Sequence, residues 1–309
     1  MNAQATGSDL LIVGSIALDN VKTPSGEVES ALGGAAVYSS VAASYFTSPK
    51  LVGVVGADFP ETHVEFLSSR GIDLTGMQFM PGETFRWSGV YEGDLNQART
   101  LETKLNVFQD FQPEIPDAHR SAKYVYLANI DPDLQLQVLD QVNSPKLSVC
   151  DTMNFWIDSK RDALVELLKR VDVVILNDAE ARQLCDTHSL IKAGREIRKM
   201  GPSVVIIKKG EHGAIMISED GFFAAPSYPL EEVKDPTGAG DSFAGGFAGY
   251  IASSDDISES NLRKATIFGS TLASFNVEDF SLRRLSALTK DDISQRYGEF
   301  LNIARVEAV

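Results

Sequence analysis

A short glycine-rich segment, residues 235–241 with the sequence DPTGAGD, carries the strongest chemical signal in this chain. Gly238, Ala239 and Gly240 can turn sharply and leave backbone N–H groups unobstructed. The small residues that follow can begin a tightly packed helix, whose N-terminus favours an anion. Asp241 stands at the start of that helix, where its carboxylate could accept a proton from an attacking hydroxyl. The segment therefore predicts an anion hole beside a general base, which suits phosphoryl transfer.

Other interpretations of this segment stay open on local chemistry alone. A G-x-G pair is weakly specific, and an aspartate at a helix N-terminus is often a cap rather than a base. The chain contains no GxxxxGK[ST] P-loop motif, and no GxGxxG follows its first apolar run. These two absences argue against a P-loop nucleotide site and against an NAD-dependent oxidoreductase.

Composition and charge exclude several classes of protein. The 309 residues are 43% hydrophobic and 23% charged, as in a folded globular protein rather than a disordered or fibrous one. Because the net charge is −15 and no dense basic patch occurs, we expect neither nucleic acid nor a membrane surface as a partner. Cys150 and Cys185 form no CxxC pair, so neither a disulfide framework nor a zinc site is expected. No signal peptide or long apolar stretch is found, and we expect a cytoplasmic location.

The segments that must position the glycine-rich loop alternate between short apolar runs and helical periodicity. Runs rich in β-branched residues predict buried strands at 10–13, 51–55, 124–128, 147–150, 171–176 and 204–207. Helical periodicity between them predicts helices at 35–45, 61–70, 133–142, 160–169, 179–185 and 191–200. A hairpin-like pair at 214–218 and 221–225 precedes helices at 241–252, 259–275 and 290–304, the last with a Thr289–Asp292 capping box. This order predicts an α/β fold with a mostly parallel central sheet and helices on both faces.

Two segments, about 18–32 and 84–105, alternate apolar with polar residues and lack a helical period. We interpret them as antiparallel ribbons that leave the main sheet and form a small β lid; the alternative is a decorated sheet edge. No internal repeat, low-complexity tract or Pro/Gly-rich linker occurs. We therefore expect a single domain over residues 1–309 that carries this lid.

Several motifs, taken in order, resemble those of the ribokinase or phosphofructokinase-B family of small-molecule kinases. The segment DPTGAGDSFAGGF is similar to the family's C-terminal signature. Further matches follow the family's order between about residues 10 and 285: Asp19, the pair Gly33 and Gly34, the G-x-x-G-x-D run 53–58, Asp151 with Asn154, Asn177 with Glu180, and the turn 208–214. The resemblance implies a ribokinase-like α/β fold with a lid. It also implies ATP and Mg²⁺ as cofactors, with a monovalent cation such as K⁺ as a further candidate.

The resemblance implies a role for each matched residue. Asp241 would be the general base, and the amides of Ala239, Gly240 and Asp241, after Gly238, would form the oxyanion hole. The nucleotide side would comprise Asn177 and Glu180, acting on Mg²⁺ through water, together with Lys208, Gly210, Thr237 and Asn276, the last near the adenine. Asp19, Gly33 and Gly34 would grip the acceptor's hydroxyls. Considered alone, Asn177 and Glu180 would be a helix cap.

The chain departs from the family pattern at positions that bear on the acceptor and the phosphates. Tyr38 stands where many sugar kinases of the family have an asparagine that grips substrate hydroxyls, and it offers a flat apolar face instead. Asn129 stands where ribokinase-like sequences place a substrate-facing Glu. Pro236 replaces the usual Thr, and Lys208 stands where Thr or Ser is common; a cation there would add charge-assisted contacts to phosphates. These changes argue against a ribose-type acceptor held as in ribokinase.

The lid contributes Arg86, Trp87, Tyr91 and Arg99. A Trp and an Arg in one ribbon can stack on a ring or pair with an anion, so Arg86 is a candidate substrate contact and the acceptor could be a nucleoside or a phosphorylated sugar. The alternative is that Trp87 and Tyr91 seal a homodimer through the lid.

Together these observations predict a kinase that uses ATP and Mg²⁺ to phosphorylate a hydroxyl of a small sugar or polyol. One alternative is a nucleoside kinase of the same fold, favoured by Tyr38 and Trp87 as stacking surfaces. A second is a non-catalytic ligand-binding protein that has kept the fold.

Overall fold

The computed structural model describes residues 9–93, 95, 97–303 and 305. Its strands are β1 (Leu10–Val13), β2 (Ala17–Thr23), β3 (Gly26–Gly33), β4 (Lys50–Gly56), β5 (Asp73–Met80), β6 (Phe85–Val90), β7 (Arg99–Lys104), β8 (Tyr124–Leu127), β9 (Leu147–Asp151), β10 (Val173–Asn177), β11 (Val204–Lys208), β12 (Ala214–Ser218) and β13 (Gly221–Ala225). Its α-helices are α1 (Ala35–Ala43), α2 (Glu61–Ser69), α3 (Pro132–Gln141), α4 (Asn154–Ser159), α5 (Arg161–Leu168), α6 (Asp178–Cys185), α7 (Leu190–Met200), α8 (Ala239–Ser254), α9 (Glu259–Asn276), α10 (Arg283–Ser286) and α11 (Lys290–Ile303).

The large sheet has the strand order β13-β12-β11-β10-β9-β8-β1-β4-β5. From β11 to β5 in this order, neighbouring strands pair in parallel. At the other edge β12 pairs antiparallel with β11, and β13 pairs antiparallel with β12. The predicted α/β fold with a mostly parallel sheet is confirmed. Strand β5 is not predicted from the sequence, because this edge strand has several exposed or half-buried side chains and no continuous apolar run.

Successive residues of β1 face opposite sides of the large sheet. Leu10 and Ile12 join one apolar core, while Leu11 and Val13 join the other. The first core contains side chains of α1, α8 and α9, and the second contains side chains of α3, α5, α6 and α7. Because helices cover both faces, the central strands are apolar throughout, which is why their positions can be predicted.

Helix α8 packs very closely against α1. A Cβ atom on Gly249 would lie 2.7 Å from the Cα of Ala43, and one on Gly245 would overlap the backbone of Ser39. Only glycine permits this approach without displacing a backbone. The small residues after the glycine-rich loop therefore allow α8 to lie directly against α1.

A smaller sheet with the order β3-β2-β6-β7 forms the lid. The two hairpins β2–β3 and β6–β7 are antiparallel, and they join through parallel pairing of β2 with β6. They lie at the two segments that the sequence identifies as lid ribbons. Strand β7 is exposed along its whole length. The predicted homodimer contact through the lid stays a prediction.

The helices near the C-terminus follow the predicted pattern with small shifts. Helix α8 begins two residues before the predicted start at Asp241, and the predicted end of α11 at Ala304 lies outside the described residues. The capping box is confirmed, because Thr289 N–H donates to Asp292 Oδ2 at 2.8 Å and Asp292 N–H donates to Thr289 Oγ1 at 3.1 Å.

None of the helices in the described ranges combines the length and the apolar character needed to cross a bilayer.

Candidate active site

The glycine-rich segment forms the turn that opens α8. Gly238 has a φ angle of +75°, and the helix begins immediately after it. First-turn amides of a helix have no intrahelical acceptor. In the described part of the chain, the amides of Gly240 and Asp241 have no hydrogen-bond acceptor, whereas Ala239 N–H donates to the carbonyl of Pro236 at 3.1 Å. Of the three amides predicted to form an anion hole, that of Ala239 is thus engaged within the loop and those of Gly240 and Asp241 are free; their action on a phosphoryl group stays a prediction.

The ring of Tyr38 lies directly against this turn. A Cβ atom on Gly238 would overlap the ring, and Tyr38 is only 2% exposed. The prediction that Tyr38 offers a flat face to the acceptor is corrected, because Gly238 covers that face. Tyr38 instead packs inside the protein against Gly238, where its ring supports the glycine-rich loop.

Asn276 fastens the loop to the end of α9. Its side-chain N–H donates to the carbonyl of Thr237 at 2.7 Å, and its Oδ1 accepts the hydroxyl of Ser242 at 3.1 Å. The side chain is 0% exposed. The polar atoms of Asn276 are therefore used inside the protein to hold the loop, and its position near the adenine stays a prediction.

Thr237 is held from two further directions. Asp235 is buried, and its Oδ1 accepts the N–H of Thr237 at 2.9 Å while its Oδ2 accepts the N–H of Ser281 at 3.1 Å. The Thr237 hydroxyl donates to the phenol oxygen of Tyr91 at 3.3 Å, which links the loop to the lid. The sequence pattern indicates no site role for Asp235 and indicates only a place in the lid for Tyr91. A role of Thr237 toward nucleotide stays a prediction.

We expect Gly238→Ala to destabilise the fold strongly. A left-handed residue other than glycine costs about 1–2 kcal/mol, and here the added methyl would also collide with the ring of Tyr38. The matched control is Gly71→Ala, because Gly71 also has φ +75° but its Cβ would meet only Ser48 Oγ, at 3.5 Å. Urea unfolding should show a clearly larger loss for Gly238→Ala. Equal losses would contradict the close packing of Tyr38 under the loop.

An ion pair lies beside the loop, at the ends of β9 and β11. Lys208 Nζ is 3.1 Å from Asp151 Oδ2, and both side chains are largely buried. A Cβ atom on Gly240 would lie 2.8 Å from Lys208 Nζ, so the ammonium group sits against the loop backbone. Burial alone would lower the pKa of Lys208, but the facing carboxylates of Asp151, Glu180 and Asp241 raise it. A positive charge is therefore fixed next to the free amides.

Asp241 lies in the first turn of α8 and is partly exposed. Withdrawal from bulk water and the charge of Asp151 raise the pKa of Asp241 to about 7, against the opposing effect of Lys208. A carboxyl group with this pKa can take up and release a proton near neutral pH. The group has the chemistry that a general base requires.

Asn177 and Glu180 form the capping box of α6. Asn177 Oδ1 accepts the N–H of Glu180 at 2.8 Å, and Glu180 Oε2 accepts the N–H of Asn177 at 2.7 Å. Burial and the charge of Asp151 raise the pKa of Glu180 to about 8, although Lys208 opposes the shift. The helix-cap interpretation is therefore correct for this pair, and its action on a metal through water stays a prediction.

A cavity of about 970 Å³ opens beside the loop and Lys208. Its size matches that of small-molecule pockets, which are about 300–1,000 Å³. Its walls come from the lid, the loop, α9 and the turns after β10, β11 and β13; they include Tyr91, Asn177, Lys208, Gly210, Tyr228, Ala239, Gly240, Phe243, Ser274 and Val277. Gly210 and Lys208, for which the family resemblance implies a place near nucleotide phosphates, thus line one cavity.

The donor groups here suit Mg²⁺ bound mainly by water and phosphate. Within the described ranges, no cluster of three or more His, Cys, Asp or Glu side chains is arranged to hold a metal ion. Mg²⁺ commonly keeps several waters and takes only one or two carboxylates together with substrate phosphates. Glu180, beside Lys208 and Asp241, is a carboxyl group that could contact such a hydrated ion.

Asp19, Gly33 and Gly34 come together where the lid meets α1. A Cβ atom on Gly33 would overlap the carboxyl group of Asp19, and Gly34 is the N-cap of α1. Burial and the charges of Asp235 and Asp241 raise the pKa of Asp19 to about 8. Asp19, a predicted acceptor residue, is thus close enough to the predicted base Asp241 for the charge of Asp241 to raise its pKa.

Trp87 shares one face of the lid sheet with Asp19. The two residues are register partners in the β2–β6 pair, and paired residues of neighbouring strands point to the same face. A Cβ atom on Gly89 would overlap the indole, so the ring lies over Gly89. An aromatic surface is therefore placed on the lid beside the acidic group.

Two predicted substrate contacts are engaged within the protein. Arg86 forms an ion pair with Asp58 at 2.6 Å, and Asn129 Oδ1 accepts the indole N–H of Trp156 at 3.0 Å. Thr84 and Arg86 lower the pKa of Asp58 against the effect of its burial. Roles of Arg86 and Asn129 toward substrate stay predictions.

Comparison with known proteins identifies the family. Residues 9–288 match the family described as pfkB family carbohydrate kinase. The chain belongs to this family. A PfkB protein is a kinase, which agrees with the predicted phosphotransferase.

Two curated relatives of this PfkB chain are similar over most of their lengths. A cytidine kinase of Thermococcus kodakarensis is 32% identical over 251 residues, which cover 78% of this chain and 88% of that protein. A nucleoside kinase of Methanothermobacter thermautotrophicus is 31% identical over 288 residues, covering 88% and 90%.

A solved PfkB-like fold also superposes well. The crystal structure of a putative ribokinase II from E. coli, in complex with ATP and Mg²⁺, has a TM-score of 0.74 at 18% identity. It covers 96% of this chain and 99% of that one. The ribokinase-like fold predicted from the motifs is confirmed.

Asp151 is the main site residue that sequence reasoning misses. It is matched as part of an Asp-x-x-Asn motif, but no chemical role is predicted for it. A useful signal is its position at the carboxyl end of a buried parallel strand, where ligand sites of open α/β sheets form. Its pairing with Lys208 depends on the order β9-β10-β11, which the sequence does not reveal.

Proposed function

We propose that this protein is a nucleoside kinase, which transfers the γ-phosphoryl group of ATP to a hydroxyl of the nucleoside's sugar. The observation that carries the proposal is that two relatives share more than 30% of their aligned residues with this chain. One of them is a cytidine kinase and the other a nucleoside kinase. Sequence reasoning favours a sugar or polyol and keeps a nucleoside as the alternative. The relatives favour that alternative.

The arrangement of the lid supports a nucleoside acceptor. A nucleoside has a sugar whose hydroxyls need polar partners and a base that can stack on an aromatic ring. Asp19, with Gly33 beneath it, suits the first requirement, and Trp87 on the same face suits the second. A free sugar would use only the first of these two features.

The residues around the loop fit a direct phosphoryl transfer. Asp241 accepts the proton of the attacking hydroxyl, and the free amides of Gly240 and Asp241 stabilise charge on the transferred group. Lys208 adds a fixed positive charge beside those amides. Mg²⁺, when bound with ATP, would neutralise charge on the phosphates.

The raised pKa of Asp241 predicts an acidic limb in the pH profile. The carboxyl must be deprotonated to act as a base, so kcat/KM should fall as the pH drops below about 7. Asp151→Asn removes a negative charge that raises this pKa, so the limb should move to lower pH. The control is Asp178→Asn on the cavity rim, which should leave the limb in place. An unmoved limb in Asp151→Asn would contradict the assignment.

A panel of acceptors tests the proposed substrate class. Cytidine, uridine, adenosine and inosine are compared with free ribose, deoxyribose, fructose and glycerol, at fixed ATP and Mg²⁺, with coupled detection of ADP. We expect at least one nucleoside to exceed every free sugar and polyol in kcat/KM by about 100-fold or more. The Asp241→Asn protein, purified identically, controls for contaminating kinases. A free sugar or polyol as the best acceptor would overturn the nucleoside assignment in favour of the sugar kinase.

A further inference from the structure

Helix α11 lies beyond residue 288, where the match to the PfkB family ends, yet it contacts residues that line the large cavity. We propose that Arg296 of this helix is a positioning residue for the wall that receives the nucleotide. The inference rests on the proposed function in one respect, namely that ATP occupies this cavity.

Arg296 joins three separate parts of the chain. Its guanidinium carbon lies 4.2 Å from the ring centroid of Tyr228 and 3.5 Å from that of Phe275, so the planar cation is in contact with two aromatic rings. Its Nη1 is 2.7 Å from Glu278 Oε1 and donates to Ser274 Oγ at 3.3 Å. The side chain is 12% exposed. Cation–π contacts are strongest where the cation has lost its water, as here.

Two of these partners line the cavity and come from different segments of the chain. Tyr228 belongs to the segment between β13 and α8, and Ser274 belongs to the last turn of α9. A single guanidinium therefore connects two segments of the cavity lining. Tyr228 is also held by α11 through its hydroxyl, which donates to Glu299 at 2.7 Å, and through its ring, whose centroid is 5.6 Å from that of Phe300.

The Tyr228 segment needs such support because residues 226–235 form no helix or strand. Leu230 and Val233 of this segment also line the cavity. Ordering backbone on ligand binding costs conformational entropy, so a segment that is ordered beforehand binds the ligand more tightly. Arg296 and Glu299 contact Tyr228 but are not among the residues that line the cavity, so they hold the segment from outside it. Their effect should therefore fall on nucleotide affinity rather than on the chemical step.

Direct nucleotide binding tests this inference without any acceptor. The dissociation constant of ADP with Mg²⁺ is measured by isothermal titration calorimetry for the wild type, Arg296→Met and Arg296→Lys. Methionine keeps an apolar stem but removes the charge and the hydrogen bonds. We expect about tenfold weaker ADP binding in Arg296→Met and partial recovery in Arg296→Lys.

The matched control is Arg263→Met. Arg263 lies on α9 with its guanidinium 5.6 Å from the ring centroid of Phe223 and paired with Glu259 at 3.0 Å, and it does not line the cavity. It therefore loses similar contacts at a site away from the proposed nucleotide. ADP affinity should stay within about twofold of the wild type in this control.

Steady-state kinetics with the best acceptor separate positioning from a general loss of structure. In Arg296→Met the KM for ATP should rise about tenfold, while the acceptor KM and kcat at saturating ATP change less than about twofold. Unchanged ADP affinity in Arg296→Met, or equal rises in both KM values, would overturn the inference. A wild type that binds no ADP would instead contradict the proposed function and its nucleotide cavity.

Discussion

Asp241→Asn should lower kcat by a factor of about 10² or more while leaving ADP affinity within a few-fold of the wild type. Asparagine has nearly the same size and can still occupy the first turn of α8, but it cannot accept a proton near neutral pH. The amides of Gly240 and residue 241 remain, and so does Lys208. The loss should therefore appear in the chemical step and not in nucleotide binding. Single-turnover transfer of the γ-phosphoryl group measures that step directly.

Asp178→Asn is the matched control for this variant. Asp178 is also a carboxylate in the first turn of a helix, it lines the cavity beside the glycine-rich loop, and it pairs with Arg182 at 3.0 Å. Its replacement changes the local charge by the same amount without removing the proposed base. Turnover within a few-fold of the wild type is expected. Near-normal turnover of Asp241→Asn, or an equal loss in both variants, would remove Asp241 from the role of base.

Lys208→Met is expected to reduce both turnover and stability. Removing one preorganised charge-stabilising group from an active site lowers kcat by about 10²–10³, and the ammonium lies against the loop at Gly240. The same change leaves Asp151 buried without its cation, which costs about 3–5 kcal/mol when the remaining group stays charged. Stopped-flow or coupled assays report the first effect, and urea unfolding reports the second.

The double variant Lys208→Met with Asp151→Asn separates these two effects. It removes both charges of the ion pair, so most of the lost stability should return. Turnover should stay low, because the positive charge beside the free amides is still missing. Recovery of turnover along with stability would mean that Lys208 acts only by supporting the fold.

Local patterns predict the fold well because most elements are determined by their own residues. The central strands are buried on both faces, so their apolar runs mark them directly, and the Thr289–Asp292 capping box is a local signature. The edge strand β5 escapes prediction because its two faces have mixed exposure. Local sequence patterns therefore predict where the buried helices and strands lie, but they predict exposed edge strands such as β5 poorly.

The candidate site is only partly predictable, because its contacts join distant parts of the chain. The loop and Asp241 are local and are found, but the order β9-β10-β11 brings Asp151 to Lys208 across 57 positions. The same applies to Asn276. The family resemblance implies a place near the adenine for it, but does not reveal that the folded chain uses both of its polar groups on Thr237 and Ser242.

The supporting role of Tyr38 is hidden for the same reason. The sequence presents an aromatic residue at a substrate position, and nothing nearby indicates that Gly238, 200 residues later, covers the ring. By contrast, the capping box of Asn177 and Glu180 is visible as a local alternative from the start. A feature formed by residues close together in the sequence can be predicted from the sequence. A role that depends on what a side chain faces in the folded protein requires the structure.

A crystal structure with ADP, Mg²⁺, aluminium fluoride and the best nucleoside acceptor would test the central claim most directly. The fluoride group mimics the phosphoryl group in transfer. Its fluorines should accept hydrogen bonds from the amides of Gly240 and Asp241, with Lys208 Nζ in contact, and the attacking hydroxyl should lie about 2.6–3.2 Å from an Asp241 carboxylate oxygen. A fluoride group bound away from these amides, or a hydroxyl beyond the reach of Asp241, would contradict the account.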